Sequence, residues 1–113
     1  MLNNYNFPDH IKGDTFIGTQ FTVVVNEVPL DLTGASIKMI LRKSAKAPAS
    51  LTLEIGSGIT VADAPGGVFN INEQIIDIPA FKYLYDIEIT LSNGDVKTYI
   101  GGTFQILQDI TYG

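Results

Sequence analysis

Cysteine is absent from the 113 residues, and so is tryptophan. Without cysteine there is no disulfide, no thiolate nucleophile and no thiolate metal site. The lack is compatible with a reducing compartment but does not establish one. Histidine occurs once, as His10, in a polar segment beside Pro8 and Asp9. A single imidazole supplies neither the paired ligands of a transition-metal site nor an obvious base for a nucleophile. Basic residues are also scarce: seven Lys and Arg stand against twelve Asp and Glu, a net charge of −5. That balance disfavours binding nucleic acid through its phosphates. The one basic cluster, Arg42-Lys43 with Lys46, reads as a solvated loop. No apolar run approaches the ~20 residues that cross a bilayer as a helix, so membrane insertion is not expected. The start, Met1-Leu2-Asn3-Asn4-Tyr5-Asn6-Phe7-Pro8, has no basic region and no apolar h-region, so no signal peptide is expected. Nucleophile elbows, phosphate-cradling glycine loops and EF-hand loops are missing as well. No cofactor is implied.

What the chain does have is apolar residues, 45% of the total, set at a spacing of two. Thr15 to Val25 reads as one long strand with Phe21, Val23 and Val25 on one face. Asn26-Glu27 closes a tight reversal, Pro29 interrupts pairing, and Asp31-Leu32-Thr33-Gly34 is turn chemistry anchored by Leu30 and Leu32. Ile37, Met39 and Leu41 form the core face of the next strand. Ala45 to Ser50 is a small-residue connection, and Leu51, Leu53 and Ile55 alternate again. Ile59 and Val61 form a short strand, Asp63-Ala64-Pro65-Gly66-Gly67 a turn, and Val68 to Ile71 another strand. Gln74 to Phe81 fits a single helical turn or a buried crossing loop equally well. Tyr83, Tyr85, Ile87, Ile89 and Leu91 share one face of the strongest strand. Ser92-Asn93-Gly94-Asp95 reads as a two-residue type I′ hairpin loop. Val96 to Ile100 returns, Gly101-Gly102 bends the chain, and Phe104 and Ile106 begin a final strand. No ten-residue segment has a helical period. The expected fold is an all-β, immunoglobulin-like antiparallel β-sandwich of about seven to nine strands. Residues 1–113 form a single domain, with 1–12 as an extended N-terminal arm.

Carboxylates are the remaining chemical option. Asp86 and Glu88 point to one face of a strand, as a glycoside-hydrolysing pair would, but a solvated strand face explains them as well. Asp63 and Asp77 lie in or near loops where carbonyl oxygens could complete a calcium site, though no calcium-loop pattern surrounds them. No catalytic or metal-binding residue is assigned, and no enzyme activity is expected. Phe16, Phe21, Phe69, Tyr83, Tyr85 and Phe104 fall at core positions. Tyr85 is also placed to form a tyrosine corner, its hydroxyl reaching a backbone group across a connection. In the tails, Tyr5, Phe7, Ile110 and Tyr112 are candidate protein-contact residues, with packing on the outside of the sandwich as the alternative.

An ordered series of short motifs spans nearly the whole chain. It comprises Gly13-Asp14-Thr15-Phe16, Val28-Pro29-Leu30-Asp31-Leu32-Thr33-Gly34-Ala35 with the strand to Arg42, and Gly66-Gly67-Val68-Phe69. Tyr83-Leu84-Tyr85-Asp86-Ile87, Asn93-Gly94, Gly101-Gly102-Thr103-Phe104 and Asp109-Ile110-Thr111 follow. The series resembles the immunoglobulin-like N-terminal domain of baseplate upper proteins and related tail proteins of tailed bacteriophages. Phe81-Lys82 departs from the glycine often seen before the Tyr-x-Tyr-Asp run. The resemblance implies a non-catalytic virion structural protein, placed in the tail and assembled in the host cytoplasm. Its partners would be other tail or baseplate proteins and further copies of itself in a homo-oligomer. The sequence carries only this domain, which points to an accessory or adaptor subunit rather than a receptor-binding one. The competing reading is a carbohydrate-binding or host-surface adhesion module on a β-sandwich.

Overall fold

A computed structural model of the chain describes residues 3–108. Their regular structure is entirely β: β1 (Asn3–Asn4), β2 (His10–Ile11), β3 (Thr15–Phe16), β4 (Thr19–Thr22), β5 (Val24–Val25) and β6 (Val28–Pro29) come first. They are followed by β7 (Ser36–Arg42), β8 (Ala49–Ile55), β9 (Gly58–Asp63), β10 (Val68–Ile71), β11 (Gln74–Ile75), β12 (Phe81–Thr90) and β13 (Val96–Leu107). Nine of these strands form one hydrogen-bonded sheet in the order β1-β13-β12-β7-β8-β9-β10-β4, with β2 also on β13. The sheet curls between β8 and β9, where pairing is parallel and involves only Glu54 with Gly58 and Ile55 with Ile59. Curling lets β4, β10 and β9 cover the inner face of β7, β12 and β13.

This is the strand order of an all-β sandwich. The strands β4, β10 and β9 make one layer, and β7, β12 and β13 the other. Alternation in β12 drives the layering. Tyr83, Tyr85, Ile87 and Ile89 are buried while Lys82, Leu84 and Asp86 are exposed. Ile37, Met39 and Leu41 of β7 and Ile100, Phe104 and Ile106 of β13 lie on the same side. Phe69 and Ile71 of β10 and Ile59 of β9 complete the core. Among the described residues, no buried side-chain nitrogen or oxygen lacks a hydrogen-bond partner.

Several local expectations change. The pairing is mixed rather than wholly antiparallel, because β1 and β2 run parallel to β13 and β8 runs parallel to β9. Thr15 to Val25 is broken at Gly18, whose φ of 109° takes it out of extended geometry, and again at Val23. The chain passes straight through Gly101-Gly102 within the 12-residue β13. Gly102 marks a close backbone approach of the N-terminal arm, not a bend. The hairpin loop at Ser92-Asn93-Gly94 is three residues long, with Leu91 N–H donating to Asp95 O (2.8 Å). Only Gly94 has positive φ there, so the loop is a type I turn closed by a glycine bulge. The type I′ turn lies instead at Asn26 (φ 52°) and Glu27 (φ 67°), which joins β5 to β6. The ambiguous segment before β12 is a crossing loop that contains β11.

Other expectations hold. Asp31 Oδ1 accepts from Thr33 N–H (2.9 Å), and Leu32 is buried beneath the turn. The Thr33 hydroxyl and amide hold the Asp31 carboxyl below its ordinary range. A tyrosine corner is present, but on Tyr83. Its hydroxyl donates to Pro79 O (2.6 Å), four residues upstream in the crossing loop that leads into β12.

Candidate interaction surfaces

The N-terminal arm occupies the outer edge of β13. Asn3 and Asn4 pair in parallel with Ile100 and Gly101, and His10 and Ile11 pair with Ile106 and Leu107. Between these short ladders, Tyr5 N–H donates to Gly101 O and Phe7 N–H donates to Thr103 O, both at 2.9 Å. Where the arm leaves the ladder, Asn6 Oδ1 accepts from Thr103 N–H (3.1 Å), replacing a backbone carbonyl. The Tyr85 hydroxyl donates to Tyr5 O (2.6 Å) from the neighbouring strand. Burial raises the Tyr85 phenol well above its ordinary range, and the nearby Tyr5 phenol adds to the shift. Gly102 lies under this crossing, and a Cβ there would collide with the Tyr5 carbonyl.

Phe7 is 5% exposed and is buried in the sandwich edge rather than lying on the surface. Its ring stacks on Phe104 at 4.6 Å and meets Tyr85 edge-on at 4.9 Å, Phe16 at 5.9 Å and Phe21 at 6.1 Å. The apolar surface it covers is the physical reason for its position, since a phenylalanine next to an open sandwich edge buries itself there. Tyr5 keeps 37% of its surface and stays a candidate for contact. Ile110 and Tyr112 lie outside the described residues.

The β5–β6 hairpin is a second surface. Val24, Val25 and Val28 are exposed at 48%, 38% and 62% around the type I′ turn. Its base is tied down: Val23 N–H donates to Gly67 O and Leu30 N–H to Val23 O, both at 2.9 Å. Gly67, at φ 72°, makes this closeness possible, because a Cβ would stand 2.6 Å from Val23 O and 2.8 Å from Leu30 O. Sequence alternation did not single out these valines, since Val23 of the same run is buried. The usable signal was the polar Asn26-Glu27 pair between Val25 and Val28, with Asn26 a residue that tolerates positive φ at a hairpin tip.

The outer face of β8, β7, β12 and β13 has two open hollows. One, of about 310 Å³, lies among Ile40, Arg42, Leu84, Asp86, Thr98 and Gly101. The other, of about 480 Å³, lies along Ser36, Lys38, Glu54, Ile55 and Glu88. Asp86 and Glu88 therefore open into separate hollows. Across the strands Glu54, Lys38 and Glu88 stand side by side, an alternation of charge that supports the sheet. The remaining carboxylates of interest serve the backbone or an ion pair. Asp63 Oδ1 accepts from Gly66 N–H (3.2 Å), and Asp77 pairs with Lys12 Nζ (2.9 Å). His10 Nε2 is 3.0 Å from Asp14 O. Among the described residues, no group of three or more His, Asp or Glu side chains is placed to hold a metal ion. The exposed aromatic rings among them are Tyr5 and Phe81, and Lys43 Nζ lies 5.4 Å from the Phe81 centroid.

No family model matches the chain, and neither a curated protein nor a solved structure matches it.

Proposed function

We propose that this domain is a non-catalytic structural subunit of a bacteriophage virion, an accessory or adaptor of the tail or baseplate that works through protein–protein contacts. The observation that carries the contact role is the β5–β6 hairpin. It exposes the cross-strand pair Val25 and Val28 on one face and Val24 on the other. It also keeps Glu27 at a positive φ that glycine would adopt at no cost. Apolar exposure combined with a non-glycine backbone outlier supports a contact role for this surface. The ordered motif series supports the virion setting, and the two-layer strand order fits the immunoglobulin-like scaffold that the resemblance implies.

The test is capture of tail proteins from a phage-infected lysate by the tagged domain, alongside light scattering after size-exclusion chromatography. The expected result is recovery of a defined tail or baseplate protein. Val28→Asp, which places a charge on the exposed hairpin, should reduce that recovery at least about tenfold, as loss of a central apolar contact does. A strict monomer that retains no tail protein would count against the proposal.

A further inference from the structure

The slot that holds the N-terminal arm is built like a peptide-binding site, and the geometry points to its being filled in trans: residues 3–12 of one copy pair with β13 of a second copy. This rests on the arm's contacts and is independent of the virion reading. Every anchor of the arm lies on the body of the domain. The Tyr85 hydroxyl holds Tyr5 O, Thr103 O and N–H hold Phe7 and Asn6, and Gly102 gives the space. Phe7 fills a recess formed by Phe16, Phe21, Tyr85 and Phe104. None of these contacts depends on which chain supplies the arm.

The link between arm and body is short: Lys12 N–H donates to Leu107 O (2.8 Å) on the arm side, and Asp14 O lies 3.0 Å from His10 Nε2 on the body side. Ile11 to Asp14 forms one turn, with Asp14 N–H donating to Ile11 O (3.0 Å) and Gly13 at φ 86°. Gly13 N–H also donates to Ile76 O (2.8 Å), and the Lys12–Asp77 pair lies at the surface. Straightening this turn costs few contacts. An emptied slot, by contrast, exposes the apolar recess and the unpaired edge of β13, a template for another strand. An opened molecule therefore refills its slot, from its own arm or from a neighbour's. At high local concentration the neighbour's arm competes, and exchange of identical elements between copies follows.

The absence of native cysteine makes a direct test possible. Ile11 and Leu107 are exposed and face each other in the parallel register. Neighbouring strands lie about 4.8 Å apart, within disulfide reach. Separate I11C and L107C proteins are mixed under native conditions and oxidised gently. The expected product is a covalent heterodimer on a non-reducing gel, its yield rising with protein concentration. Mixing I11C with V96C, whose thiol lies at the far end of β13, should give none. The chain carrying both I11C and L107C reports the cis arrangement through an internal disulfide. No heterodimer from the I11C and L107C mixture, or no more than from I11C with V96C, overturns the proposal. Capture of tail proteins can succeed or fail independently of that result.

Discussion

Tyr85 shows how a single side chain works in two ways here. Its ring is part of the core, and its hydroxyl donates to the arm at Tyr5 O. Tyr85→Phe keeps the packing and removes the donor, so a loss of about 1 kcal/mol is expected in urea unfolding near pH 7. The same residue shapes the response to alkali. Burial raises the Tyr83 and Tyr85 phenols above their ordinary 10.0, so the folded state keeps protons that the unfolded state gives up. This contribution is complete below pH 10.0 and is lost as pH rises towards the folded-state values. Stability should therefore fall as pH climbs above about 10, and Tyr85→Phe should flatten the slope; unfolding curves between neutral and strongly alkaline pH measure both effects. Gly67 is the other critical single position. Gly67→Ala combines positive φ with a Cβ 2.6 Å from Val23 O. Strain of this kind costs about 2–3 kcal/mol, which should appear as a lowered denaturant midpoint at unchanged slope.

At the level of elements, the long alternating strands were readable and the turns only partly so. The alternation in β7 and β12 identified the core face because a period of two leaves little choice once one face is buried. The Asn-Gly dipeptide was a weaker guide, since it suits both a two-residue loop and the three-residue loop found at Ser92-Asn93-Gly94. The arm was the least legible element. Tyr5 and Phe7 look like tail residues because, apart from each other, the rings they pack on lie on the body strands: Phe21, Tyr85 and Phe104. Tyr83 and Tyr85 point to the same face, so alternation does not separate them; the Tyr83 hydroxyl finds the local carbonyl of Pro79, whereas that of Tyr85 reaches Tyr5, eighty residues away in sequence. The β5–β6 turn yields a prediction of its own. Glu27→Gly relieves a non-glycine residue at φ 67° and creates an Asn-Gly type I′ pair. A gain of about 0.5–1 kcal/mol is expected in thermal or denaturant unfolding, unless a partner contact is being measured, where Glu27 itself can contribute.

Across the whole molecule, closure of the sandwich depends on residues that touch both layers. Phe7 meets Phe21 of β4 on one side and Tyr85 and Phe104 of β12 and β13 on the other. Phe7→Ala should therefore cost about 3–5 kcal/mol, a large share of the 5–15 kcal/mol typical of a domain. Hydrogen exchange should show the Tyr5 and Phe7 amides losing protection together, ahead of those in the centre of β12. If those two amides exchange no faster than in the parent, the arm is held by its ladder and not by its ring.

Because the arm runs in the same direction as β13, its first described residue lies beside Ile100 and the end of β13 lies at Leu107. Tension applied through the two ends would therefore slide these neighbours along each other. Their backbone bonds would then bear the load together instead of opening one after another like a zip. A protein strung between two pulling bodies would resist at this seam first.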